Sequence, residues 1–444
     1  MALIIRGTIW FGLYLFLALL PLGTAIASAP DRTAPPLILG IAIGAGFVGL
    51  SLMALEFALI SRVTQAAGAF GEDSLQLFHN LMGMVALGLI LTHPILLIIY
   101  GYPANCWLNP LASCANTATI TAALALYGLI LLIVTSIWRK QLRIRYEVWY
   151  VIHGLFALFV VIAALFHIFI LGRYTSTPLM KTVWMVYAVL VVYLIAWHRV
   201  IKPILNWNHQ WEVVDNRAER GEARTLVLKP VGHNGFSFQP GQFSWLKAGR
   251  LPIGPGQHPI SMSSNGDVPP GGTVTFTIKD LGDWSGQEVP ALKPGDTLWL
   301  DGPHGVFSMD REQAMGYVFI GGGIGITPLY SMLQTMVSRE DVRPVILFYG
   351  GQSEESLTFR EELDALSEQM NLKVVYVLSN PEEGWSGETG LITDEIMQRY
   401  LPKQYKRFKF MICGPKPLMD AMEQAIPELG VPWEQVLTER FDMV

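Results

Sequence analysis

Charge is scarce in this chain: of 444 residues only 31 are Lys or Arg and 36 Asp or Glu, against 51% apolar residues. The net charge of −5 gives no reason to expect a nucleic-acid partner. Cysteine is scarcer still, and three residues exclude a disulfide scaffold. Cys106 and Cys114 share one short polar loop, while Cys413 lies far away. The loop pair either closes a disulfide, if that loop faces an oxidising compartment, or stays as two thiols. A length of 444 residues exceeds one ordinary domain and points to two or three.

The shortage of charge is uneven. Up to about residue 200 the sequence is a series of apolar runs, and after Trp211 it turns mixed and rich in Gly and Pro. Six runs, near 4–28, 37–60, 76–101, 118–138, 147–171 and 181–201, are long enough for a hydrocarbon core that needs about 20 residues. A lipid bilayer is therefore an expected partner. The basic segments "WRKQLRIRYE", "HRVIK" and Arg62 follow spans four, six and two, whereas the other loops are poor in Lys and Arg. The positive-inside rule then places both ends of the chain in the cytoplasm and the cysteine loop outside, as in a multi-pass protein of a bacterial inner membrane. Arg6 and "AIASAP" resemble a signal peptide, but the apolar stretch is too long for a signal core, so retention of the first span is expected.

Two spans carry the same unusual pattern. "FHNLMGMVALGLILTH" holds His79 and His93, and "IHGLFALFVVIAALFH" holds His153 and His167, each pair fourteen residues apart. On a helix, fourteen residues rise about 21 Å and make nearly four whole turns, so both histidines point to one side, one near each membrane surface. Both spans run the same way, so His79 matches His153 in height and His93 matches His167. A histidine in a soluble helix is usually a hydrogen-bonded core residue, but ionisable groups inside a membrane are costly and usually functional. Each matched pair suits the two axial positions of a b-type haem. Arg62, Arg139, Arg143 and Arg145 can pair with propionates at the inner level and Arg173 at the outer, or serve as headgroup anchors. For Glu56, within the second span, an ion partner and a proton route both stay open.

From Trp211 to about Phe307, short β-type runs such as "EARTLVLKPV" and "TVTFTIKDL" between turns suggest a small antiparallel barrel. From residue 316 strands and helices alternate, which indicates a parallel sheet with crossover helices. In "YVFIGGGIGITPLYSML" a strand ends at Ile320, and Gly321, Gly322, Gly323 and Gly325 form an unobstructed turn. Thr327 is a candidate cap and Pro328 suits the first helical position. The start of that helix would face a pyrophosphate.

Together these segments resemble the NADPH oxidase and ferric reductase superfamily, in order and over nearly the whole chain. The resemblance implies a six-helix transmembrane dihaem bundle (1–205), an antiparallel β-barrel FAD domain (206–312) and an α/β NAD(P)H-binding domain (313–444). It implies that "HPISMSS" lines the flavin with His258, Pro259, Ile260 and Ser261 and sets Ser263 and Ser264 near the phosphates. "KDLGDWS" matches the pyrophosphate segment through Gly282, Trp284 and Ser285. "GGGIGITP" corresponds to the dinucleotide loop, and Cys413, Gly414 and Pro415 of "MICGPKPLM" to the segment beside the nicotinamide. Phe441, after "TER", would cover the flavin, although Asp442 to Val444 follow it. The family's NADPH users place an arginine just after the second strand, where this chain has Gln352 and Ser353; Arg360 lies further on and is a substitute, so NADH and NADPH both stay open.

The expected activity is transmembrane electron transfer from NAD(P)H through FAD and two b-type haems to an outer acceptor. Oxygen, giving superoxide, is favoured over a ferric chelate, because the outer loops are short and hold no histidine cluster. An electron-delivery subunit for a periplasmic or quinone partner is the reading from another class. A channel with a regulatory nucleotide domain would need a polar track that the spans lack. No obligate protein partner is indicated.

Overall fold

The computed structural model describes residues 2–28, 35–61, 68–172, 174–249, 252, 254, 256–311 and 314–440. Arg62, Arg173 and Phe441 lie outside these. The chain divides into two compact units, Met1–Pro203 with Ile253–Pro255, and Ile204–Pro252 with Gly256–Val444.

The first unit is helical. Among the described residues six helices are long and apolar enough to cross a membrane. They are α1 (Ala2–Ala27), α2 (Leu37–Leu59), α3 (Glu72–Tyr100), α4 (Thr117–Ile137), α5 (Tyr146–Leu171) and α6 (Pro178–Ala196), the last continuing through a π-helical turn at Trp197–Ile201. Half of the apolar window of α2 is buried, more than in any other span, and α2 packs on α1, α3, α5 and α6. Its small residues explain that position, because small side chains let helix backbones approach closely. A Cβ at Gly49 would stand 2.8 Å from Ile90 of α3. Elsewhere the spans keep apolar faces outward, including Ile9, Phe16, Leu155 and Val192. Such all-round apolarity suits lipid rather than water. Asn116 caps α4 with a reciprocal Asn116–Thr119 box, and Thr177 caps α6. The loop between α3 and α4 holds a short helix, Ala104–Leu108, and a disulfide between Cys106 and Cys114.

Among the described residues the second unit holds two six-stranded sheets. The first is antiparallel, with β1 (Gln210–Glu219), β2 (Ala223–Pro230), β3 (Phe243–Ala248), β4 (His258–Ser261), β5 (Val274–Lys279) and β6 (Thr297–His304) in the order β4-β3-β6-β1-β2-β5. The sheet curls into a half-barrel, and its edges meet just past β4, at the Met262–Phe276 bridge and the adjoining Ser263–Thr275 bond. Alternating inward residues such as Val213, Leu226, Leu228 and Phe276 fill it.

The second sheet is parallel throughout, with β7 (Tyr317–Gly322), β8 (Val345–Gly351), β9 (Leu372–Leu378), β10 (Glu388–Thr389), β11 (Lys409–Gly414) and β12 (Val436–Arg440). Its order is β10-β9-β8-β7-β11-β12, so the direction of winding reverses between β7 and β11. Helices α7 (Ile326–Ser338), α8 (Arg360–Gln369), α9 (Asp394–Tyr400) and α10 (Lys416–Glu428) connect the strands. The near-continuous burial of β7 and β11 is what a parallel sheet covered on both faces demands.

Candidate functional site

The membrane-spanning unit brings the four histidines together in two pairs between α3 and α5. The ring centroids of His79 and His153 lie 6.4 Å apart. A metal bound to one nitrogen of each ring, at roughly 2 Å per bond, sets the centroids about 6 Å apart, so the spacing fits an iron between them. His93 and His167 line one cavity of about 270 Å3. A single water needs only roughly 10–15 Å3 by this measure, so the space suits a larger, mainly apolar group. Leu50, Leu97, Leu126 and Ala164 form part of its wall, and Trp107 and Leu108 of the disulfide loop also line it. Tyr127 pins that loop by donating to the Leu108 carbonyl at 2.6 Å.

Each histidine has its Nδ1 engaged. His93 Nδ1 stands 2.7 Å from the Ala42 carbonyl and His167 Nδ1 2.8 Å from the Ala118 carbonyl. A carbonyl can only accept, so the proton sits on Nδ1 and Nε2 is left as the metal-binding nitrogen. Ser136 Oγ donates to Leu132 O at 2.6 Å, so it accepts from His153 Nδ1 at 3.1 Å. His79 Nδ1 meets the Glu56 carboxylate. Such partners fix the tautomer and ring orientation of metal-bound histidine. The His93 arrangement depends on Gly46, where a Cβ would stand 2.9 Å from that ring. Beside Gly83, one turn after His79, a Cβ would meet nothing within 4 Å.

Aromatic and cationic groups gather next to His153, the partner of His79. Trp149 lies 4.9 Å from His153, and its buried Nε1 has no hydrogen-bond partner among the described residues. Arg139 sits over Tyr146 and Trp149, at 5.0 and 5.4 Å. Arg139 and Trp149 thus set donors near His153 that would suit an anionic group, whereas Arg143 and Arg145 are exposed.

In the second unit, His258 and Trp284 stack face to face, 4.0 Å between centroids, so the "HPISMSS" and "KDLGDWS" segments converge. The hydroxyls of Ser263 and Ser264 are tied to β5, through Thr275 and Thr277 for the first and the Thr275 amide for the second. Ser331 and Gln334 of α7 hold the carbonyls of Ser264 and Ser263, at 2.6 and 2.8 Å. Ser285 closes its own turn, accepting from the Leu281 amide, and the space beside Gly282 is open. Pro259 and Ile260 lie half-buried on β4 with Ser261 buried.

The glycine turn lies where the sheet order reverses, the usual position of a ligand crevice in an open α/β sheet. Gly321 pairs with Cys413 across β7 and β11. A Cβ at Gly325 would fall 2.3 Å from the Cys413 carbonyl, so only glycine lets the start of α7 approach Cys413 and Gly414, while Pro415 lies beside Gly322. Gly323 has φ +53° and open space beside it, whereas Gly322 backs onto Leu418. The helix starts earlier than the cap residues suggest. A 3-10 turn at Gly323–Gly325 runs directly into Ile326, and the buried Thr327 donates to the Ile324 carbonyl at 2.8 Å. Pro328 therefore sits within the first turn, after its first position.

At the tip of β8, Gln352 and Ser353 enter a short turn closed by Ser356. Arg360 is already matched, by Glu354 at 3.0 Å and Asp364 at 3.1 Å, and lies 4.2 Å over the Tyr376 ring. Its partner Glu354 carries no signal in the sequence, where it stands among Glu355, Glu361 and Glu362.

Residues 45–164 match the model of the ferric reductase like transmembrane component, and residues 319–424 match that of the oxidoreductase NAD-binding domain. The chain has the ferric reductase/NADPH oxidase-like architecture. NADH-cytochrome b5 reductase 2 of Scheffersomyces stipitis is 36% identical over 160 residues, 35% of this chain and 54% of that protein. The reductase component of propane 2-monooxygenase from Rhodococcus jostii is 30% identical over 225 residues, 49% of this chain and 59% of that protein. The chain thus spans little more than half the length of these curated relatives. Among solved structures, flavohemoglobin from Malassezia yamatoensis, with bound FAD and heme, aligns over 91% of this chain and 98% of its own at 16% identity, with a TM-score of 0.51. At that identity the likeness is one of fold. Six apolar helices followed by an FAD/NAD-binding reductase fold describe a multi-pass membrane flavoprotein of the oxidoreductase class.

Proposed function

We propose that the chain is an NAD(P)H oxidase of the bacterial inner membrane, moving electrons from cytoplasmic NADH to oxygen at the outer face, with FAD and two b-type haems as carriers. The carrying observation is the pairing of His79 with His153 and of His93 with His167, each with Nδ1 engaged. When bound, FAD takes up the hydride pair and releases it singly, and haem iron carries each electron. The four histidines would hold the haem irons through Nε2. Arg139 and Trp149 would hold an inner propionate, and the start of α7 with Gly323 would cradle the dinucleotide pyrophosphate. Cys413, Gly414 and Pro415 would lie beside the nicotinamide, and the His258–Trp284 segments would shape the flavin site.

Oxygen is supported by the disulfide loop, which sets Trp107 and Leu108 against the His93–His167 cavity and favours a small acceptor over a chelate. NADH is supported by Glu354 and Arg360. A carboxylate there suits a ribose hydroxyl and repels a 2′-phosphate, and Arg360 is neutralised by its two acids. The test is an anaerobic absorption spectrum of the purified protein with FAD, titrated with NADH or NADPH and then exposed to air. Haem reduced by NADH and promptly reoxidised with superoxide formed is the expected result. Haem that stays reduced until a ferric chelate is added would make the protein a ferric reductase. The absence of any haem band would overturn the reading.

A further inference from the structure

The four histidines are not held alike. Three have neutral acceptors on Nδ1, the Ala42 and Ala118 carbonyls and the Ser136 hydroxyl. The fourth, His79, has a carboxylate, and the two side chains are 18% and 13% exposed. Glu56 belongs to α2, three residues before its end, and its carboxylate meets His79 of α3. An acid inside a membrane span is expensive and its position calls for a function.

A carboxylate behind a metal-bound imidazole does two things. It draws the Nδ1 proton toward itself and makes Nε2 a stronger donor, and it sets negative charge near the metal. Both stabilise ferric over ferrous iron, and hydrogen bonding around an axial ligand is an established lever on haem potential. We propose that Glu56 is a positioning residue that lowers the reduction potential of the haem held by His79 and His153 below that of the haem held by His93 and His167. This rests on the haem reading above. Electron transfer then runs downhill toward the outer face. One electron passes at a time, the inner iron being oxidised and the outer reduced, with no bond made or broken.

The experiment is an anaerobic spectroscopic redox titration of the full-length, haem-loaded protein, its Glu56→Gln and Ser136→Ala variants, and a His93→Leu variant that retains only the inner pair. Gln keeps a neutral acceptor for Nδ1 and removes only the charge. The wild type should show two waves, and Glu56→Gln should raise the lower one by about tenfold in its reduction equilibrium, 59 mV for one electron, leaving the upper one in place. Ser136→Ala, which touches a neutral partner, should shift it less. An unmoved lower wave in Glu56→Gln, or a shift confined to the upper wave, would overturn the proposal. Where Glu56→Gln does not retain the inner haem, His93→Leu decides. Its remaining wave should be the lower of the wild-type pair, and a match to the upper one refutes the assignment. A protein without haem absorbance in any variant would instead refute the haem reading itself.

Discussion

Gly46 offers a test of the outer pair that leaves every proposed ligand in place. Its absent Cβ would stand 2.9 Å from His93 Nδ1, 3.2 Å from Cε1 and 3.3 Å from Cγ. Ordinary carbon contacts begin near 3.4 Å, so Gly46→Ala must push the ring by about half an ångström, the tolerance within which a site must hold its geometry. The ring cannot yield cheaply, because its Nδ1 is bonded to the Ala42 carbonyl, one turn earlier on the same helix, at 2.7 Å. Overpacking of this kind costs typically 1–3 kcal/mol. Losing an outer-shell partner lowers metal affinity by about 10–100-fold, or roughly 1.4–2.7 kcal/mol, so two routes give the same size of effect. Gly46→Ala should therefore purify with about one haem per chain in place of two, its remaining spectrum that of the inner pair. Gly88, exposed on the other side of α3 with nothing within 4 Å of its Cβ, is the control, and Gly88→Ala should keep both. The assay is haem content per protein with the oxidised and reduced spectra. Two haems and an unchanged spectrum in Gly46→Ala would refute the account of how His93 is held.

Three further outcomes follow from named contacts. Glu354→Gln should raise the preference for NADPH over NADH by about tenfold, near 1.4 kcal/mol, read as the ratio of kcat/KM values; an unchanged ratio removes Glu354 from nucleotide choice. Trp107→Ala should speed electron transfer to a bulky ferric chelate more than to oxygen, and equal changes would mean that the disulfide loop does not screen acceptors. Arg339 bonds both Asp267 and Asp310, at 2.7 and 2.5 Å, and holds the Asp267 carboxyl below the usual carboxylate range through those hydrogen bonds. A depressed folded pKa means that the stabilisation is present above the unfolded value near 3.9 and fades as pH falls through the folded one. Both carboxylates are partly exposed, so screening limits the effect to about 1 kcal/mol. Arg339→Gln should lower the unfolding temperature of the full chain at pH 7, and the difference should shrink below about pH 4; a constant difference would remove the ion pair as its cause.

Much of the architecture was legible because it rests on local period and length. An apolar run either reaches across a bilayer or does not, and fourteen residues on a helix return to one face whatever surrounds them. The glycine turn was legible for a similar reason, since it breaks a strand where a helix must follow. The start of α7 differs from the expected one because Thr327 and Pro328 have the chemistry of cap residues, while the 3-10 turn at Gly323–Gly325 that displaces them depends on contact with Cys413. The barrel is a half-barrel whose edges are joined just past β4, by the Met262–Phe276 bridge and by the bonds of Ser263 and Ser264 to Thr275 and Thr277, which strand counting cannot reveal.

The sequence by itself determined the six spans, the division into two kinds of chain, and the equal spacing of the histidine pairs. What only the tertiary structure decided is the company each side chain keeps. Glu56 was an acid in a span until α2 met α3 and set it against His79. Ser136 and the carbonyls of Ala42 and Ala118 became partners of histidines 17, 51 and 49 residues away. Arg360 was a free cation in the sequence and is a matched one in the fold. Periodicity is a property of one helix, whereas hydrogen-bond partners and charge neutralisation arise only where two elements pack, and no local pattern specifies which two will meet.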